Sequence, residues 1–197
     1  PDRRVVTFSP SSVQYSKAGP EVLEDYVKKR AVMAERLLAQ GFAVLFVPHA
    51  LRPLQHVPWL CDMAVSLAIH ARIRPDPWVA VLTEDHSAVD LKSVISCADV
   101  HVGSRYHSVV AALSTGVPAV SVSWHHKYAD IMDIYQQSKY VIDGRSPNLA
   151  EDGAGMVARL SADRAAVSAH LKDLQPRLEA EVHENAAHLA RGLATNA

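Results

Sequence analysis

Apolar runs of strand length alternate with segments of helical periodicity along most of the chain. Most of the short runs are apolar without strict alternation, which is typical of parallel strands covered on both faces. We predict six strands: Arg4–Phe8, Ala43–Val47, Trp78–Thr83, Asp99–Val102, Ala119–Ser123 and Tyr140–Ile142. Six helices are predicted between and after them: Pro20–Gln40, Val57–Ala71, Ser87–Cys97, Arg105–Thr115, Lys127–Gln137 and Leu149–Leu160. This alternation predicts an α/β fold with a doubly wound, mainly parallel six-stranded sheet.

The C-terminal segment has a different pattern. Apolar residues recur at three- and four-residue steps from Val167 to Leu193, and Pro176 lies among them. A proline inside a helix costs about 3 kcal/mol or more unless the helix kinks or breaks there. We therefore predict two helical pieces that meet near Gln175, and we divide the chain into a Rossmann-like domain at 1–161 and kinked C-terminal helices at 162–197.

The segment just past the middle of the chain carries the most informative chemistry. Val100–Gly103 reads as a short strand, and the helical pattern that follows it stops at the Gly-Val-Pro of 116–118. Ser104 is the predicted N-cap, which places Arg105 and His107 in the first turn. A cation there opposes the helix dipole by roughly 0.3–1 kcal/mol, whereas the free N–H groups favour an anion. The pattern therefore predicts a bound anion.

Charge and composition narrow the class of protein. The net charge of −1, from 20 basic and 21 acidic residues, creates no global field for nucleic acid or a membrane surface. Cys61 and Cys97 lie in separate predicted helices without metal-ligand spacing, which favours reduced, buried thiols. We find neither a signal segment nor an apolar run near the ~20 residues that span a bilayer, and we expect a cytoplasmic protein. Because the sequence opens at Pro1 without a methionine, we expect a fragment or processed product and a missing N-terminal half.

Ligands of an open parallel sheet bind beyond the carboxyl ends of its strands, so the residues after each strand are candidates. The basic and imidazole side chains in those positions are His49 and Arg52, Arg105 and His107, and His125, His126 and Lys127. The guanidinium of Arg105 can hold a phosphate or carboxylate through two parallel hydrogen bonds. The alternative to a ligand contact is that Arg105 forms a salt bridge with a nearby carboxylate.

Each of the other candidates also has a purely structural alternative. His107 could be a buried histidine at the helix start, and Lys127 could be a solvated lysine. The alternatives for the rest are a polar loop for His49 and Arg52 and a plain surface position for His125 and His126.

The stretch from Cys97 to Val141 resembles the polysaccharide pyruvyl transferases. Members of that family carry a Gly-Ser-Arg-x-His segment, a helix that ends in Gly-Val-Pro, a strand, and then a lysine. The matching positions here are Gly103, Ser104, Arg105, His107, Gly116, Val117, Pro118 and Lys127. The resemblance implies transfer of a pyruvyl group from phosphoenolpyruvate to sugar hydroxyls as a ketal. It also implies that this chain is the C-terminal Rossmann-like half of a GT-B-like enzyme.

The resemblance further implies roles for the site residues. His107 would be the general acid that protonates the methylene carbon of phosphoenolpyruvate, since a histidine can deliver a proton near neutral pH. The donor would be held by Ser104, Arg105, Tyr106 and Lys127, with His49, Arg52, His125 and His126 around them. We expect no cofactor and no metal, because no carboxylate or thiol lies at ligand spacing from the His-His pair.

The partners implied are phosphoenolpyruvate, a saccharide acceptor and the N-terminal domain of the same enzyme. The C-terminal helices would pack either on their own domain or on that N-terminal domain. The implied location is the cytoplasm, including the inner membrane surface beside a polysaccharide-synthesis complex.

Two other functions are compatible with the pattern. A GT-B glycosyltransferase or nucleotide-sugar epimerase shares the Gly-x-Pro turn, but many of these carry a glutamate for the ribose where this chain has Ala111. Because alanine cannot accept hydrogen bonds from a ribose diol, we favour a small anionic donor. The remaining alternative is a noncatalytic partner in a polysaccharide-synthesis complex, with the C-terminal helices as its docking surface.

Overall fold

Six strands form one parallel sheet in the computed structural model, which describes residues 2–14, 20–51 and 61–194. The strands are β1 (Val5–Ser9), β2 (Ala43–Phe46), β3 (Val79–Val81), β4 (Val100–Gly103), β5 (Ala119–Ser123) and β6 (Val141–Asp143). The helices are α1 (Pro20–Ala39), α2 (Asp62–His70), α3 (Ala88–Ser96), α4 (Tyr106–Ser114), α5 (Lys127–Ile134), α6 (Leu149–Ala162) and α7 (Arg164–Ala194). Short 3₁₀ helices lie at Ser12–Gln14 and Ser138–Tyr140.

The strand order is β3-β2-β1-β4-β5-β6, with every neighbouring pair parallel. This is the doubly wound order of Rossmann-like sheets, in which the chain reverses its direction of growth between β1 and β4. Ser9 at the end of β1 pairs with Gly103 at the end of β4. The predicted fold class is therefore confirmed, and the topological switch point lies where the predicted anion site begins.

Apolar strands covered on both faces build the core. Val6, Phe8, Val100 and Val102 are completely buried, and the ring of Phe8 stacks on that of Phe46 at 5.3 Å between centroids. α1 packs against α6, and α3 packs against α4. Helices over the sheet explain why the strands read as continuous apolar runs rather than as alternating ones.

Two expectations for the cysteines and their helices are wrong. Cys61 has an extended backbone, with φ −109° and ψ 118°, so α2 begins at Asp62 and cannot run through from Val57. Residues 57–60 of that predicted helix lie outside the described residues. Both cysteines are free and Cys61 is buried as expected, but Cys97 is exposed because it caps the end of α3.

One helix, α7, replaces the two pieces that the Pro176 pattern predicted. Lys172 and Pro176 are both exposed, so water can satisfy the carbonyl that loses its N–H donor. Leu171 is buried against the core, while Val182 is 67% exposed. The first part of α7 therefore packs on the sheet domain.

Among the described residues, no helix is long and apolar enough to cross a bilayer.

Candidate functional site

The loop that follows β4 lies at the switch point and begins the site. The backbone N–H of Ser104 donates to the Ser9 carbonyl at 2.9 Å, which extends the β1–β4 pairing by one residue. The Arg105 carbonyl then accepts from Ser108 and Val109, and Arg105 itself is extended, at φ −104° and ψ 126°. Arg105 is therefore the N-cap of α4, and the prediction of Ser104 as N-cap is wrong, because Ser104 still belongs to the sheet.

Arg105 makes a two-pronged ion pair with Asp62. Its Nε donates to Oδ2 at 2.7 Å and its Nη2 donates to Oδ1 at 2.5 Å, while Nη2 also donates to Ser12 Oγ at 3.0 Å. Within the described residues, the two N–H groups on Nη1 make no hydrogen bond. The side chain of Arg105 remains 19% exposed. The salt-bridge alternative for Arg105 is thus present, and Nη1 is the edge left for a ligand.

Asp62 ties three loops together at the carboxyl edge of the sheet. Its completely buried carboxylate accepts from the backbone N–H groups of Ser12 at 2.8 Å, Ala50 at 2.9 Å and His49 at 3.3 Å. With the guanidinium of Arg105, this carboxylate connects the segments after β1, β2 and β4. Sequence reasoning missed Asp62, because the predicted helix began at Val57 and so placed Asp62 inside the helix rather than at its start, beside the loops.

His107 lies in the first turn of α4 with an exposed side chain. Its ring meets the ring of Tyr106 edge-on, with centroids 5.8 Å apart. The buried alternative for His107 is therefore not what the structure shows. An exposed imidazole beside the switch point is accessible to a substrate.

Lys127 begins α5 and lies above an aromatic cluster. Its Nζ is 5.2 Å from the ring centroid of Tyr106, 5.6 Å from that of Tyr128 and 5.7 Å from that of Trp124. Trp124 Nε1 and Tyr128 Oη donate to the Ser104 carbonyl at 3.2 and 2.6 Å, so the cluster adjoins the loop that carries Arg105. Burial raises the pKa of Tyr128 to about 12, which keeps this donor protonated.

The charge of Lys127 has no counterion in the part of the chain that the structure describes. No carboxylate there lies within 4.0 Å of its Nζ, whereas Arg105 is neutralised by Asp62. Lys127 is also exposed. Among the described residues, Lys127 is therefore a cation at this edge whose full charge is available to an anionic ligand.

His49, in the loop after β2, lies next to the Arg105–Asp62 pair. Its backbone donates to Asp62, its ring is half-buried, and its Nδ1 is 3.1 Å from the Val47 carbonyl. Burial lowers the pKa of His49, and the positive charge of Arg105 lowers it further. Arg52, the other predicted residue of this loop, lies outside the described residues.

The two adjacent histidines are further from the switch point. His125 and His126 are exposed, their rings are 4.0 Å apart, and they line a shallow cavity of about 350 Å³ with Trp124, Asp143 and Arg145. The structure shows no contact between either histidine and Arg105. Among the described residues, no group of three metal-ligating side chains converges.

A buried polar chain beneath the site was not predicted. His101 lies between Thr7 Oγ1 and Ser108 Oγ, with both ring nitrogens 3.0 Å from their partners. Ser108 donates to the Arg105 carbonyl at 2.8 Å, so His101 Nε2 must donate to Ser108 and Nδ1 must accept from Thr7. Burial lowers the pKa of His101 to about 3, which keeps the ring neutral. This chain anchors the N-cap of α4 to β1 and β4.

Gly103 provides the space for that chain, so we expect Gly103→Ala to destabilise the fold. A Cβ there would lie 2.6 Å from Val109 Cγ2, 2.8 Å from His101 Nε2 and 2.9 Å from Ser108 Oγ. Overpacking of this kind costs typically about 1–3 kcal/mol, measurable by urea unfolding. The matched control is Gly155→Ala in α6, where the nearest atom is 3.6 Å away and the free energy of unfolding should not fall. Equal stability of the two variants would contradict this packing.

Together, the sheet order and the basic side chains at its carboxyl edge define a Rossmann-like domain with a candidate anion site. The model of the polysaccharide pyruvyl transferase family matches residues 6–126, and the chain belongs to that family. The match covers β1 to β5 and ends at His126, one residue before Lys127.

Solved structures with the same fold are glycosyltransferase-like. The calicheamicin glycosyltransferase CalG4 is 18% identical, with a TM-score of 0.55 over 97% of this chain and 43% of its own. The glycotransferase of kitacinnamycin is 15% identical, with a TM-score of 0.55 over 90% of this chain and 40% of its own. The α,α-trehalose-phosphate synthase (UDP-forming) from Burkholderia vietnamiensis is 14% identical, with a TM-score of 0.53 over 95% of this chain and 45% of its own. These identities show the GT-B-like fold alone, and this chain spans less than half of each structure.

Proposed function

We propose that this chain binds phosphoenolpyruvate for an enzyme that transfers its pyruvyl group to a saccharide as a ketal. The observation that supports this most is that two basic groups adjoin the loop after β4. Among the described residues, Arg105 Nη1 makes no hydrogen bond and Lys127 has no carboxylate partner. Phosphoenolpyruvate carries a phosphate and a carboxylate, and a guanidinium edge and an ammonium suit those two groups. Membership of the pyruvyl transferase family supports the same reaction class.

His107 is the proposed general acid. Ketal formation requires a proton on the methylene carbon C3, attack of a sugar hydroxyl on C2, departure of phosphate from C2, and attack of a second hydroxyl on C2. The exposed ring of His107 lies one residue from Tyr106, whose ring packs against Lys127. A proton donor beside the proposed anion site is what the first step needs.

Calorimetric titration with phosphoenolpyruvate tests the proposal. We expect saturable binding to the wild-type protein and at least about tenfold weaker binding by Lys127→Met, because a hydrogen bond to a charged group contributes about 1.5–3 kcal/mol. Lys139→Met is the matched control, since the Nζ of Lys139 also lies over an aromatic ring, 5.0 Å from the ring centroid of Tyr140. Lys139 directly precedes β6, so it lies at the amino ends of the strands, away from the candidate site. Its affinity should equal that of the wild type.

A uridine diphosphate sugar titrated in parallel separates the alternatives. Binding of the nucleotide sugar without phosphoenolpyruvate would support a glycosyltransferase or epimerase and would overturn the role proposed for His107. Ala111, in the place of the ribose-binding glutamate, is buried in α4, which argues against that outcome. Binding of neither ligand would favour the noncatalytic partner.

A further inference from the structure

His49 has a defined tautomer. Its Nδ1 lies 3.1 Å from the Val47 carbonyl, and because a carbonyl only accepts, Nδ1 carries the proton. In the neutral ring, Nε2 then holds a lone pair. In the part of the chain that the structure describes, Nε2 makes no hydrogen bond, and the ring is half-buried rather than enclosed. A proton acceptor is thus held in one orientation at the carboxyl edge of β2.

The surroundings of His49 keep it neutral and place it at the proposed donor site. Burial lowers its pKa, the charges of Arg105 and His107 lower it further, and the bond to Val47 and the carboxylate of Asp62 partly oppose them. His101, a further imidazole nearby, is buried and neutral. The backbone N–H of His49 donates to Asp62 Oδ2, the same carboxylate oxygen that accepts from Arg105 Nε. One carboxylate therefore positions both His49 and Arg105.

We propose that His49 is the general base that takes the proton from the saccharide hydroxyl, an inference that rests on the proposed function. The base and the acid are then two histidines on loops that flank the end of β1, His49 after β2 and His107 after β4. A general base contributes typically about 10²–10⁴-fold to a rate when it is within hydrogen-bond reach of the proton.

The two histidines balance every proton of the reaction. Protonated His107 gives its proton to C3 of phosphoenolpyruvate, and neutral His49 Nε2 takes the proton of the first hydroxyl as its oxygen bonds to C2. His49 then gives that proton to the bridging oxygen as the bond from C2 to this oxygen breaks and phosphate leaves. The second hydroxyl attacks C2 and gives its proton to His107, so both histidines return to their initial states.

The test uses the complete protein encoded by the natural gene. Polysaccharide extracted from a strain in which that gene is deleted serves as acceptor, with phosphoenolpyruvate as donor, and the ketal methyl signal is followed by nuclear magnetic resonance. We expect His49→Gln to lower the transfer rate by about 10²–10⁴-fold with unchanged binding of phosphoenolpyruvate. His183→Gln, at an exposed position of α7, is the matched control and should keep the wild-type rate.

The pH profile and chemical rescue separate a base from a structural residue. Wild-type kcat/KM should fall on the acid side as His49 becomes protonated, and this limb should be absent from His49→Gln. Added imidazole should restore part of the rate of His49→Ala. A wild-type rate or an unchanged acid limb in His49→Gln would overturn the role of His49 alone. No ketal transfer by the wild-type protein would overturn the proposed function and this inference with it.

Discussion

Replacement of Asp62 by asparagine is expected to lower the free energy of unfolding by about 3–5 kcal/mol, because it leaves the guanidinium of Arg105 without its buried counterion. Among the described residues, every partner of the Asp62 carboxylate is an N–H group, from Ser12, His49, Ala50 or Arg105. The side-chain amide of asparagine would place its own NH₂ donor against some of these N–H donors. Such a loss is a large part of the roughly 5–15 kcal/mol that stabilises a typical domain.

Asp143→Asn provides the matched control for Asp62→Asn. Asp143 also holds an arginine by two bonds, from Arg145 Nε and Nη2, both at 3.0 Å, but this pair is exposed. Exposed ion pairs contribute about 0–1 kcal/mol, so Asp143→Asn should change stability by no more than that. Urea unfolding of both variants measures the difference. Similar losses for the two would show that the Asp62 carboxylate is hydrated.

Replacement of His107 by glutamine is expected to reduce pyruvyl transfer by about 10²–10⁴-fold, because it removes the proposed donor of the proton to C3. The ring of His107 is exposed and touches Tyr106 only edge-on, so folding and binding of phosphoenolpyruvate should be unaffected. Ketal formation on polysaccharide from the deletion strain, followed by nuclear magnetic resonance, measures the rate.

Deuterated water adds a second readout for His107. One deuterium should enter each ketal methyl group made by the wild-type protein, since its acid exchanges with the solvent. His183→Gln is a suitable comparison, because His183 is also exposed and lies in α7. If His107→Gln transfers the pyruvyl group as fast as His183→Gln does, another group supplies the proton.

The strands and the loop chemistry after β4 were predictable because both depend on local sequence. The run Ala43–Phe46, for example, is apolar throughout, which is typical of strands covered on both faces. The Gly-Ser-Arg-x-His segment lies where a strand gives way to a helix, so its position at the edge of the sheet followed from the alternation alone. The exact N-cap did not follow, because the hydrogen bond from Ser104 to Ser9 joins residues far apart in the chain.

What the sequence by itself determined is the α/β class, the six strands, and the placement of Arg105, His107, Lys127 and His49 after them. Tertiary structure alone decided the partners of those side chains. Asp62 meets Arg105 across 43 residues and Thr7 meets His101 across 94, and no local pattern encodes such pairs. The physical reason is that sequence periodicity indicates only which face of a helix or strand is buried. A buried charge or imidazole needs hydrogen-bond partners, and the order of the strands decides which residues lie close enough to provide them.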